Sequence, residues 1–261
     1  MQPLKILTYG EPGVGKTTLL ASGLDDERLV PGLIFDFEGG TLSIASKIRY
    51  VTLEDFRNDK GFVPSPLDCL RVTAWDDFAT VRTLLQHGRL PYRFLGIDSL
   101  SEINYLALQE VSGAGEFETP DLQDYLKTST ALKSLVRAFR DLPQHLVFVC
   151  GTQTKTNPRT RLDHKLPNLV GKLAYEVCGL VDIVGLLETY TEQVRDDAGN
   201  TEDVMHRELI TYPSDHWVAK DRTEGGLLGG SMQDPTLTAI LNLIEPPKAE
   251  PLKAEATKKG K

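Results

Sequence analysis

Near its start the chain reads Gly10-Glu11-Pro12-Gly13-Val14-Gly15-Lys16-Thr17, the spacing G-x-x-x-x-G-K-[ST]. The chemistry this pattern supports is phosphate binding. Glycines let successive backbone N–H groups turn inward around phosphate oxygens, and the start of a helix adds partial positive charge. Lys16 would reach the β- and γ-phosphates, and the Thr17 hydroxyl would ligate Mg2+. Residues 10–18, Thr18 included, are therefore expected to hold ATP with Mg2+. A glycine-rich turn with a chance lysine would need no particular flanks. Here Leu4 to Tyr9 reads as a buried strand, and Thr18-Leu19-Leu20-Ala21 opens a helix.

Acids stand where such a site would use them. Asp98 ends the apolar run Tyr92 to Ser99 and is the expected partner of Thr17 on Mg2+, although Asp and Ser there would also cap the helix that follows. Asp36 and Glu38 close the run Gly32 to Gly40. Glu38 can orient or deprotonate a water in line with the γ-phosphate, and Asp36, two residues earlier on the same strand face, can support it. A surface acid before Gly39-Gly40 is the plainer alternative. Gln153, just past the apolar strand Leu146 to Cys150, is placed to sense the γ-phosphate; Thr152 is a near-equal candidate. Lys220 and Arg222 form a K-x-R pair that would face one way along a strand. They would stabilise transition-state charge on a neighbouring subunit's phosphate, or form a surface ion pair with Asp221 between them.

Lys155, Arg159, Arg161, Lys165 and Lys172 follow Gln153 with only Asp163 opposing, in a chain of net charge −8. That overall charge argues against a protein coated in basic surface, so any nucleic-acid contact must be local. The run reads as a basic loop able to hold a single-stranded DNA backbone, or as solvated surface; no aromatic for base stacking precedes Tyr175. Cys69, Cys150 and Cys178 have no metal-ligand or paired spacing and are expected to be buried, reduced thiols. No signal-peptide pattern precedes the first strand and no apolar run approaches membrane-spanning length, so a cytoplasmic protein without a membrane partner is expected.

The elements that must position these residues alternate. Strands are predicted at 4–9, 32–40 (ending in a glycine turn), 48–51, 70–73, 92–99, 146–150 and 181–187, and helices after Thr17 and at 76–86, 100–111 and 121–142. In the last of these helices Leu122, Tyr125, Leu126, Leu132, Leu135, Val136 and Phe139 form an apolar stripe that packing explains. A hairpin turn at Asp196–Asn200 with a returning strand near 206–212, and a final helix near 235–243, complete the pattern. The prediction is an α/β domain over residues 1–245, with a mostly parallel central sheet, helices on both faces and an antiparallel C-terminal hairpin, followed by a Pro/Lys/Ala/Glu tail over 246–261 with nothing to bury.

Together these residues resemble the RecA-like branch of P-loop NTPases. Asp36-x-Glu38 looks like that branch's catalytic glutamate, Gln153 its sensor, and Lys220-Asp221-Arg222 the finger of its hexameric helicases. More narrowly, Gly10–Thr18, Asp36–Gly40, Ile97–Leu100, Pro167–Lys172 with Val181–Leu187, and Ala219–Arg222 resemble phage-encoded RecA-like ATPases of the Sak single-strand-annealing group, also catalogued as a phage AAA-type family. The resemblance implies ATP-dependent annealing or recombination of single-stranded DNA, often beside a single-strand-binding protein. It also implies a homo-oligomer, since a finger acts in trans. An ATP-switched assembly or helicase-loader protein without DNA contact is the competing expectation. A small-molecule kinase is weaker, for want of an arginine-bearing lid.

Overall fold

The computed structural model describes residues 2–57, 62–113, 119–156, 160–195 and 201–246. In chain order they form β1 (Lys5–Tyr9), α1 (Lys16–Ala21), β2 (Gly32–Asp36), β3 (Arg49–Val51), α2 (Leu53–Arg57), β4 (Leu67–Arg71), α3 (Trp75–Gln86), β5 (Phe94–Asp98), α4 (Leu100–Ser112) and α5 (Leu122–Arg140). There follow β6 (His145–Cys150), β7 (Thr152–Thr156), β8 (Asp163–Pro167), α6 (Leu173–Leu180), β9 (Ile183–Arg195), β10 (Thr201–Ile210), β11 (Lys220–Asp221), β12 (Ser231–Gln233) and α7 (Leu237–Ile244). The predicted turn at 196–200, Arg159, and tail residues 247–261 lie outside the described residues.

The main sheet runs β12-β10-β9-β1-β6-β5-β2-β4-β3, with β11 on β9. From β9 to β3 every pairing is parallel; β10, β11 and β12 are antiparallel additions. This is the expected P-loop NTPase architecture. The central strands are apolar almost throughout because both faces are covered. On one face Phe35 meets Phe78 edge-on at 5.2 Å, and Phe78 stacks on Phe139 at 4.9 Å, locking α3 and α5 to β2. On the other, Leu19 and Leu20 of α1 and Ile240 and Leu241 of α7 pack with Ile6, Ile34 and Val149.

Because these strands are parallel, Tyr9, Asp36, Asp98 and Cys150 end at one edge, with Tyr9 beside Cys150 and Asp36 beside Asp98. Ligands of open parallel sheets bind at that edge. At the opposite end Lys5 anchors β1. Its buried ammonium donates to the carbonyls of Leu142 and Gln144 at 2.7 and 2.6 Å, closing the turn after α5, and burial pulls its pKa down to about 8.

Three sequence expectations change. The fourth strand starts at Leu67, not Leu70, because Asp68 belongs to it: that carboxylate is buried, gripped by Arg49 at 2.8 and 2.9 Å and by the Tyr92 hydroxyl at 2.7 Å. The α5 stripe is buried only from its middle, Leu132 to Phe139; Leu122 and Leu126 are 75% and 62% exposed. The expected basic loop is mostly an ordered β7–β8 hairpin followed by α6.

Gly10 leaves β1 beneath β9, and a Cβ there would lie 2.3 Å from the Leu187 carbonyl oxygen. The nearest obstacle is β9 backbone, which cannot turn aside as the end of a side chain could, and Val14 Cγ2 lies 3.1 Å away as well. Gly10→Ala is expected to lose about 1–3 kcal/mol of stability and to weaken nucleotide binding by displacing the loop. Thermal melts and ADP titration check this; an alanine variant with parent-like values in both would contradict it.

Candidate phosphate-binding site

The loop between β1 and α1 has the shape its glycines were expected to allow. Gly13 and Gly15 have φ of 85° and 93°, left-handed conformations that favour glycine. The Leu19 N–H then donates to the Gly15 carbonyl at 2.9 Å, starting α1. Val14 is the loop's buried anchor, and a Cβ on Gly13 would meet nothing within 4 Å. Lys16 folds its ammonium back over the loop, donating to the carbonyls of Gly10 and Glu11 at 3.0 and 2.7 Å. Burial lowers its pKa, while Glu38 and Asp98 pull it upward. The loop thus presents a half-buried cation and a concave backbone turn, a fit for a phosphate chain.

The acids converge on the same edge. The Thr17 hydroxyl donates to Asp98 Oδ2 at 2.6 Å, joining the two side chains expected to hold Mg2+. Asp98 is buried, and burial raises its pKa to about 6 despite the Thr17 hydrogen bond, with Glu38 and Asp36 adding to the rise. Glu38 is exposed and accepts a short hydrogen bond from Ser99 Oγ, a partner that the sequence did not single out. Asp36 supports Glu38 through the backbone: its carboxylate accepts from the Gly39 N–H at 2.7 Å and from Arg71 Nη1 at 3.2 Å, fixing the turn that carries Glu38. Mg2+ takes one or two carboxylates plus waters and phosphates, so Thr17 and Asp98 suffice on the protein side.

Gln153 is turned along the sheet edge. Its amide donates to the Pro167 and Leu169 carbonyls at 2.8 and 2.7 Å, joining β7 to the segment before α6. Thr152 starts β7 beside it. Lys220 and Arg222 do face one way, toward the end of α6: Lys220 donates to the Cys178 and Val181 carbonyls and Arg222 to that of Gly179 at 3.2 Å. Burial, with Arg222 nearby, brings the Lys220 pKa down to about 8. The two cations close the C-terminal end of a helix that the sequence did not reveal.

The hairpin register divides the basic residues. Lys155 pairs across with His164 and Thr154 with Lys165, so Lys155 and Lys165 emerge on opposite faces. Lys165 forms an ion pair with Glu188 of β9. Lys155, Arg161 and Lys172 are exposed. A cavity of about 470 Å³ opens beside Lys155, lined also by Thr156, His164, Tyr175 and Ser214. Tyr175, on α6 and 51% exposed, lies against His164 with ring centroids 6.3 Å apart. It supplies the aromatic surface missing from the basic run itself. Arg207 of β10, which belongs to no motif, lies against Gly15 of the loop.

Parallel strands, a glycine-bent loop with lysine and threonine at its end, and an acid on a nearby strand tip define a P-loop NTPase. Residues 2–223 match the AAA domain family, and the chain belongs to it. Membership points to a nucleotide-binding ATPase. No curated protein matches the chain. Among the described residues no helix is long and apolar enough to cross a membrane, and the three cysteines are buried and unpaired.

The crowding at Asp98 has a measurable sign. A native pKa near 6, above the unfolded value of 3.8, means that the native state keeps the proton in that window, so ionisation costs stability as pH rises through 6. Without ligands, Asp98→Asn is expected to exceed the parent in stability at pH 7 by on the order of 2 kcal/mol. The gain should vanish as pH falls below the unfolded value. Melting curves of both proteins from pH 7 down to about pH 3 test this, and a destabilised Asn variant at pH 7 would overturn it.

Proposed function

We propose that the protein is a Mg2+-dependent ATPase of RecA-like type that acts on single-stranded DNA in phage annealing or recombination. The observation that carries this reading is one of continuity. Strand β6 lies between the strands bearing the phosphate loop and Asp98, and it runs directly into the β7–β8 hairpin that carries the basic residues. A nucleotide site and a cationic, aromatic-flanked surface share one piece of backbone.

Hydrolysis would divide among the chain's own residues as follows. The loop N–H groups and Lys16 hold the phosphate chain and the charge that develops on the leaving oxygen. Glu38, oriented by Ser99 and by the turn that Asp36 fixes, accepts a proton from water as the water oxygen attacks the γ-phosphorus and the bond to the β-phosphate oxygen breaks. Thr17 and Asp98 would hold Mg2+, whose charge would offset that of the transferred group. Gln153 ties the hairpin's base to the same edge and so reports on the γ-phosphate. Lys220 and Arg222 serve a neighbouring subunit of a homo-oligomer once released from the end of α6. Lys155, Arg161 and Lys172, with Arg159, contact the DNA backbone while Tyr175 offers a stacking face; Lys165, on the opposite face and paired with Glu188, is left out of that surface. The setting is the cytoplasm of a host cell, beside a single-strand-binding protein.

Steady-state ATP hydrolysis without DNA, with single-stranded DNA and with duplex, at low and moderate salt, tests this. Stimulation by single strands alone is expected, weakening with salt and lost in Lys155→Glu/Arg161→Glu. Glu38→Gln should bind ATP and turn over about 100-fold or more slower; near-normal turnover would remove Glu38 from the role of base. Hydrolysis indifferent to DNA, with ATP alone changing the oligomer's size, would replace the reading by an assembly switch or helicase loader.

A further inference from the structure

We infer that Arg207 is a nucleotide-binding residue acting in cis, one that grips the diphosphate portion common to ATP and ADP. The inference rests on the nucleotide-binding reading above and adds a contact that the motif does not contain.

Arg207 projects from β10 onto the phosphate loop. A Cβ on Gly15 would lie 2.9 Å from Arg207 Cδ and 3.1 Å from Nη1, so stem and guanidinium lie on the residue that precedes Lys16. The side chain is about one-third exposed. Among the described residues the guanidinium has one ion-pair partner, Asp234, at 3.9 Å from Nε. That separation is long for a charge-assisted hydrogen bond. Asp234 is occupied elsewhere: its Oδ1 accepts from the Arg207 backbone N–H at 3.0 Å, its Oδ2 lies 3.0 Å from His206 Nδ1, and its own N–H donates to the Arg207 carbonyl at 2.6 Å. Asp234 therefore fixes the backbone of Arg207, and among the described residues most of the guanidinium donors have no protein acceptor. A forked cation beside a turn that gathers phosphate oxygens is suited to bidentate phosphate binding.

Topology selects which phosphates. Arg207 reaches the loop from the β9–β10 side of β1, whereas Glu38 and Asp98 reach it from the β5–β2 side. The acids mark the γ-phosphate end, so Arg207 meets the nucleotide on the other flank, on atoms that ADP retains. A transition-state finger would distinguish ATP from ADP. Arg207 should not.

The test is direct titration with fluorescent ADP and a slowly hydrolysed ATP analogue, comparing parent, Lys16→Ala, Arg207→Met and Arg207→Lys. Arg207→Met keeps the apolar stem on Gly15 and removes the charge. It should weaken both nucleotides together by roughly tenfold or more, as expected for one charge-assisted hydrogen bond. Arg207→Lys should lose less, again equally for both, and it decides the matter if the Met variant does not fold. ADP affinity within twofold of the parent in a folded variant overturns the inference. Loss confined to the ATP analogue overturns it too, moving Arg207 to the γ-phosphate. If the parent binds neither nucleotide, the nucleotide-binding reading itself falls; if parent binding depends on Lys16 and not on Arg207, only this inference does.

Discussion

Strand β9 outruns β1, and most of the site depends on that difference in length. The first strand has five residues and the ninth thirteen, and they run parallel from Ile6 beside Ile183 to Tyr9 beside Leu186. Where β1 ends, β9 continues, so the chain leaving Tyr9 must pass under the Leu187 carbonyl with no room for a side chain at residue 10. The same overhang brings Glu188 to Lys165 of the hairpin and carries β10, with Arg207, alongside the loop. The glycine-rich loop therefore takes its position from a strand that begins more than 160 residues later. Local sequence specifies that the loop bends, and the sheet decides where.

Charge is the second constraint. Three carboxylates, Asp36, Glu38 and Asp98, gather near a single lysine, and each is accommodated differently. Asp36 is satisfied by Arg71 and a backbone N–H, Glu38 is exposed and holds a serine hydroxyl, and buried Asp98 accepts, among the described residues, from the Thr17 hydroxyl alone. Burial and like charge both favour the neutral form of a carboxyl. Asp98 is thus the least comfortable group at this edge, and the remedy its surroundings call for is a cation. Sites built for divalent ions carry this imbalance by construction, and stability is the quantity they sacrifice.

What was legible in the sequence follows from the range of the interactions involved. The phosphate loop could be read from spacing because left-handed backbone at Gly13 and Gly15 is a local demand. Asp98 and Glu38 could be read because parallel strands deliver their C-terminal ends to a common edge. The β7–β8 hairpin could not: its threonines and charges show no apolar period, and it is held by partners far along the chain, the Lys165 N–H donating to the His216 carbonyl at 2.7 Å. The stripe on α5 was legible as helix but not as core, since the exposure of Leu122 and Leu126 depends on what lies opposite. Tyr175 and Arg207 carried no motif. Each became visible only when the fold brought it against His164 or Gly15.

Strand β6 sets how the two halves of the site can communicate. Its last residue accepts from the Gly10 N–H at 3.3 Å, its neighbour Val149 lies beside Asp98, and Ser101 of α4 touches both Cys150 and the Gly151 N–H. Two residues later Gln153 binds the carbonyls of the returning chain. These are short links, most of them between backbone and small polar groups. A ligand that displaces the hairpin by even a fraction of an ångström must therefore move Gln153 against Leu169, or shift β6 against the two strands that carry the phosphate loop and Asp98. Packed parallel sheets resist the second course. The joint between β6 and β7 is itself pinned, the Gly151 N–H donating to Ser101 Oγ at 3.0 Å and the Gly151 carbonyl accepting from the Asn168 N–H at 2.8 Å.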